Sequence, residues 1–228
     1  MLHHLHMNRR YSLLFAVCGV VGCGHASITP VQAARLATPA ANHGELIYVG
    51  TVTPEGSPTP AFRYERRVIE RANGERVSTH ITFADDVPVV LQQATQDENG
   101  RLIAFEEVHG QRGEAHHFAG GEGGDANIVV GPTLFGFART HLRELRAGQA
   151  VPLVFWDRGS EYAFELTLTG DTVQMRATSF FVALAVSPIE FRLGPGEQVV
   201  AYRGRVPPLR DGRATDADVT YVYLAPFR

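Results

Sequence analysis

The densest run of chemically capable side chains in this sequence is Glu106, Glu107, His109, Glu114, His116 and His117. Imidazole and carboxylate are the ligand types that hold zinc and similar cations. On a strand, alternate side chains share a face, so Glu107 and His109 lie together. A turn at Gly110 to Gly113 would bring His116 or His117 back opposite them. The spacing follows no zinc signature. The expectation is therefore an exposed hairpin without a bound metal, with His109, His116 and His117 as the ligands a metal would use. No cofactor is expected either. The glycines between Gly120 and Gly124 precede neither a lysine nor a helix start of the kind that cradles phosphate; they read as a pliable crossing between sheet and helix. The sequence has no Gly-x-Ser-x-Gly elbow and no His-Glu-x-x-His. Its two cysteines, Cys18 and Cys23, leave no thiol nucleophile further along. These features lean away from an enzyme.

The elements that would position these groups are mostly strands. From Glu45 onward, apolar residues recur with period two, the pattern of half-buried strands. Phe62, Tyr64 and Val68 fall on one face of a first strand, and Val77, Thr79, Ile81 and Phe83 on one face of a second, with the hairpin turn Asn73-Gly74 between them. Arg63, Arg66, Arg67 and Arg71 alternate with Glu65, Glu70 and Glu75 and read as a solvated strand face. Further strands are expected over 46–53, 87–96, 101–109, 151–156, 161–169, 171–177, 189–193, 198–205 and 219–224. His80 reads as a structural histidine and Trp156 as core. The exception is the stretch after Pro132, where Leu134, Phe135, Ala138, Leu142 and Leu145 recur at helical spacing and Gly148 supplies a stop. A helix is expected over about 133–147, and a second, short one over about 179–187, where Ser179 could cap the apolar run from Phe180.

The amino terminus carries a different pattern. Met7 to Arg10 is short and basic, and Tyr11 to Gly22 is apolar and uncharged, the layout of a secretory signal. The apolar part is too short to cross a hydrocarbon core of roughly 30 Å. It ends in Val20-Val21-Gly22-Cys23, which resembles the lipobox of bacterial lipoproteins, although Leu is commoner at the first position and Ala or Ser at the second. The resemblance implies cleavage before Cys23, diacylglycerol on its sulfur, and a membrane as partner through that lipid. Gly24 in place of Asp resembles the outer-membrane-sorted class. Cleavage near Ala26 is the alternative, and would release a free periplasmic protein. His3, His4 and His6 would leave with the signal. Residues 23–44, rich in Ala, Thr and Pro, read as a lipidated flexible tether, and 45–228 as a single β-rich domain.

The formal charge of −3 gives no basic footprint for nucleic acid. Many strands on short turns with one clear helix predict a mainly β fold, a curved antiparallel sheet forming a half-barrel or open barrel. With the lipobox, this progression resembles the half-barrel of bacterial lipoprotein carriers and related periplasmic families. What the resemblance implies is an envelope protein that binds lipid or another apolar ligand in its concave sheet, with Phe135, Phe137, Phe155, Phe164 and Phe191 as the lining. A non-enzymatic structural or interaction lipoprotein with a filled core, touching another envelope protein, is the alternative; a metal-dependent hydrolase is the third.

Overall fold

A computed structural model of the chain describes residues 26–38, 44–120, 127–185 and 187–226. Cys23 and the signal lie outside these residues. Among the described residues, fourteen strands join in one sheet: β1 (Ala26–Ser27), β2 (Glu45–Pro54), β3 (Phe62–Glu70), β4 (Arg76–Ala84), β5 (Val87–Gln96), β6 (Leu102–His109), β7 (Glu114–Ala119), β8 (Ile128–Val129), β9 (Val151–Asp157), β10 (Ser160–Thr169), β11 (Thr172–Ala177), β12 (Ile189–Leu193), β13 (Val199–Arg210) and β14 (Arg213–Tyr223). Their spatial order is β1-β7-β6-β5-β4-β3-β2-β14-β13-β12-β11-β10-β9-β8. Two antiparallel meanders thus meet where β14 pairs with β2, Tyr223 opposite Tyr48. The fold is mainly β, a curved and unclosed sheet. It departs from the expected all-antiparallel form at one edge, where β8 runs parallel to β9.

Turn chemistry sets the register. Gly74 takes φ +83° in the Arg71–Glu75 turn, a conformation that costs glycine nothing. Pro207 and Pro208 cannot donate to the ladder, and the register between β13 and β14 shifts there, between Val206 and Leu209. The freed backbone is used elsewhere. His109 Nε2 donates to Pro207 O at 2.9 Å, and the Gln111 amide side chain pairs with both backbone groups of Leu209 at 2.8 and 3.0 Å. The β6–β7 turn is thereby tied to a strand six places away in the sheet, which requires the sheet to curl.

The curl ends in a clasp. Trp156 packs edge-on against Phe105 and Phe118, with ring centroids 5.6 and 5.8 Å away. Phe105 and Phe118 stand opposite one another on the concave face of β6 and β7, whereas Trp156 points away from Val151, Leu153 and Phe155, which enter the main core. The β9 end of the sheet is therefore tucked inside the β6–β7 end. Among the described residues, side chains and not a hydrogen-bonded ladder hold the two together.

Helices fill and cover this frame. After a 3-10 turn at Gly131–Thr133 come α2 (Leu134–Thr140) and α3 (Leu142–Arg146), so the expected single helix is broken at His141. Their Leu134, Phe135, Ala138, Leu142 and Leu145 form one core with Tyr48, Val68, Leu166, Met175 and Phe191. The short helix expected near 179–187 is present as α4 (Phe180–Ala185).

The reading of 23–44 as flexible tether needs correction over residues 26–38. β1 pairs with β7, and α1 (Pro30–Ala37) lies on the convex face, its Leu36 buried among Ile81, Phe83, Leu91 and Val108. Pro30 does not interrupt this helix but starts it, since proline is tolerated in the first turn. Thr29 and Gln32 cap it reciprocally, at 3.2 and 3.0 Å. No helix among the described residues is long and apolar enough to cross a membrane.

Candidate functional site

Strand register assembles a line of polar side chains across the concave face. Tyr223 stands opposite Tyr48, Tyr48 opposite Arg66, Arg66 opposite His80, His80 opposite Gln92, Gln92 opposite Glu107, and Glu107 opposite His116. The row crosses seven strands. Arg66 is 2% exposed and Glu107 6%; Tyr48, Gln92 and His116 are buried as well. Burying such groups is costly unless each finds a partner. Tyr48 Oη and His80 Nε2 share a hydrogen bond of 2.9 Å, Gln92 Nε2 donates to Glu107 Oε2 at 2.6 Å, and Arg66 donates to Ser78 Oγ at 3.3 Å while facing the Tyr48 ring.

The charge states follow from burial. Desolvation holds the His80 imidazole down to about 3, helped by the nearby Arg66 cation, so His80 is neutral in the fold. Burial lowers Arg66 from its usual value, with the Tyr48 hydroxyl opposing the shift. It raises the Tyr48 phenol far above the ordinary tyrosine range. Burial also pushes the Glu107 carboxyl up to about 7, against the Gln92 hydrogen bond, which favours the carboxylate. A carboxyl titrating near neutrality is suited to general acid or base work. It must also be reachable, and Glu107 is not: the row runs beneath the Gly131 turn, where a Cβ on Gly131 would come within 3.4 Å of Gln92 Oε1.

The Glu106 to His117 cluster is divided between the two faces. Glu106 and His117 pair on the convex side, where Glu106 forms an ion pair with Arg35 and accepts from Gln32 at 3.1 Å, fastening α1. Glu107, His109, Glu114 and His116 face inward. His109 is committed to Pro207 O, His116 lies 3.4 Å from Glu114, and exposed His117 points the other way. Among the described residues no three His, Cys, Asp or Glu side chains are placed to hold a metal ion. The expected exposed hairpin is thus half right, since its inward face is buried.

The proposed apolar lining is gathered by the fold into a packed cluster. Phe135, Phe164 and Phe191 are buried, with Phe135 and Phe191 ring centroids 5.3 Å apart; Phe137 and Phe155 pack at the margin. The chain's own α2 stands where a ligand would. A depression of about 520 Å³ lies outside, lined by Ile28, Ala33, Leu36, Val87 and Pro88 between α1 and the β4–β5 turn.

Arg66 is the residue that the sequence reading misplaced. It shares the period-two face of Phe62, Tyr64 and Val68, so the alternation itself pointed inward, and reading the arginines as a group hid that signal. His80 takes the expected structural role, and Trp156 is core. Tyr202 and Tyr221, which meet Phe135 at 6.3 and 5.6 Å, gave no signal beyond their strands.

Fold and site together define a mainly β protein with a plugged, rolled sheet and a buried polar row. No family model matches the chain, and no curated protein matches it.

Proposed function

We propose that this protein is a lipid-anchored component of the bacterial envelope, held by diacylglycerol on Cys23 and facing the periplasm, that acts as a non-enzymatic interaction scaffold. The observation that carries the reading is where the reactive and apolar groups lie. The concave face is occupied by the chain's own α2 and α3, and Glu107, whose carboxyl is pushed up to about 7, is buried. Apolar side chains are instead offered outward at α4, and exposed apolar surface marks interaction sites. The lipobox-like Val20 to Cys23 supports the anchor, and Gly24 supports the outer membrane as its address.

Intact-mass measurement of the protein purified from envelopes tests the reading. A mature chain beginning at Cys23 with added acyl mass is expected, and Cys23→Ala should lose that mass and leave the membrane fraction. A chain that begins near residue 27 without lipid would sink the anchor.

A second reading, an apolar ligand on the concave face, is favoured by the break at His141 and the partly buried Phe137 and Phe155. It requires the helical plug to give way. Native mass spectrometry of the same preparation decides it: a lipid bound in addition to the acyl groups of Cys23 would support it, and a ligand-free spectrum would dismiss it.

A further inference from the structure

We infer that residues 26–38, β1 with α1, are a releasable strap that shortens the link between anchor and sheet while docked and lengthens it when it lets go. The change in reach rests on the anchored reading above; the release itself does not. None of these residues enters the main core or the cluster around the clasp. Their apolar hold is Leu36, with Ile28 at the margin of the small cluster of Ile81, Phe83, Leu91 and Val108. Val31 points away from the sheet, 70% exposed, and the depression lined by Ala33, Leu36 and Val87 leaves α1 loosely seated. β1 adds two residues to the edge of β7, which pairs with β6 along its whole length without it. The sheet is thus complete in the absence of the strap. A unit with so few buried contacts opens ahead of the rest of the fold.

The polar hold is of the same kind. Arg35 forms an ion pair with Glu106 and donates to Gln93 Oε1 at 3.1 Å, and Gln32 Nε2 donates to Glu106 Oε1 at 3.1 Å. The two charged side chains stay 31% and 27% exposed, so salt weakens their attraction. Gly110 lets the strap seat: a Cβ there would lie 2.8 Å from Leu36 Cδ2 and 3.3 Å from Val89 O. Undocking wets Ile81, Phe83, Leu91 and Val108, which makes the docked strap the resting state.

Docking also moves the point of attachment. While β1 holds, the chain leaves the sheet at β7, and the three residues from Cys23 to Ala26 span at most about 10 Å. With the strap released, the sheet is held at β2, six places away in the strand order. The chain from Cys23 to Glu45 then reaches roughly 75 Å at full stretch. One molecule can thus sit against the membrane or meet a partner well away from it.

The test is native-state hydrogen exchange across a urea series, on full-length protein purified from envelopes. Helix amides from Ala33 to Ala37 should exchange through an opening with little urea dependence, and those of β2 and β10 only through steeply dependent unfolding. Gly110→Ala should speed the helix amides by at least about tenfold. Val173→Ala, in the main core, should speed the β2 and β10 amides and leave the helix amides unchanged. Helix amides as urea-dependent as the sheet, or accelerated by Val173→Ala together with it, overturn the strap. Reach is read in vesicles with dansyl-labelled headgroups, using transfer from Trp156, which packs on Phe118 of β7. Leu36→Asp, which drives the strap off its apolar seat, should lose transfer relative to the parent. Equal transfer from both lipidated chains removes the change in reach. A chain without lipid that shows the expected exchange removes only the anchor.

Discussion

Glu107 and His80 sit two strands apart in the same row and make the fold respond to pH in opposite directions. In the fold Glu107 keeps its proton up to about pH 7, while in the unfolded chain it is lost near 4.5. Between those values the native state binds more protons, so stability falls as pH rises through this window. Glu107→Gln resembles the protonated acid and can still accept from Gln92. It should be more stable than the parent at pH 8, by up to about 3 kcal/mol, and nearly equal at pH 4. Urea titrations at the two pH values read this directly; the same difference at both would exclude Glu107 as the source. For His80 the folded value of about 3 lies below the usual 6.5. The unfolded chain takes up the proton first as pH falls, so this contribution is lost from pH 6.5 downward. His80→Gln should flatten the acid limb of the stability profile, at a cost near neutrality from the changed Tyr48 contact; an acid limb as steep as the parent's would show that other groups control it.

At the scale of elements, α1 shows how short-range and long-range terms divide the work. Eight residues are too few for a stable isolated helix, and the capping box of Thr29 and Gln32 contributes only part of what is missing. Thr29→Ala should cost about 1 kcal/mol. Leu36→Ala removes the side chain that docks on Ile81, Phe83, Leu91 and Val108, and should cost about 2–5 kcal/mol. Thermal unfolding checks the ranking. If Thr29→Ala proved the costlier, capping and not docking would hold the helix. The capping signal was present in the sequence, at Thr29-Pro30-x-Gln32. The docking site was not, because it is made of β4, β5 and β6, which begin some forty to seventy residues downstream.

For the whole molecule, the clasp of Trp156 between Phe105 and Phe118 decides whether the sheet stays rolled. Truncating a buried tryptophan costs about 3–5 kcal/mol, and here it also releases one end of the sheet from the other. Trp156→Ala should lower the unfolding midpoint and raise amide exchange in β8 and β9 more than in β2 and β3. Uniform exchange changes across all strands would argue against a local clasp. Because Trp156 is the sole tryptophan, the parent's emission also reports closure, and it should move to the red as the ends part.

The sequence by itself determined most strands, the interruption by helix near residues 133–147 and the absence of a recognisable catalytic motif; for the all-apolar run from Phe180 its period fitted a buried strand as well as the short helix that forms. These are properties of neighbours in the chain: a side-chain period of two or about 3.6, a turn residue, a cap. Only the tertiary structure decided which face of each strand is covered: it laid α1 on the convex face of β4 to β6, turned the face of β3 that carries Arg66 inward, and closed the concave face of β5 and β6 with Val130 and the tucked Trp156. That is why Arg66 and Glu107 are buried although their segments carry the charge of a solvated surface, why α1 is ordered in a stretch composed like a tether, and why the histidines near 109–117 do not converge. Pairing seven strands in one register aligns residues nearly 180 positions apart, and no local pattern encodes that alignment.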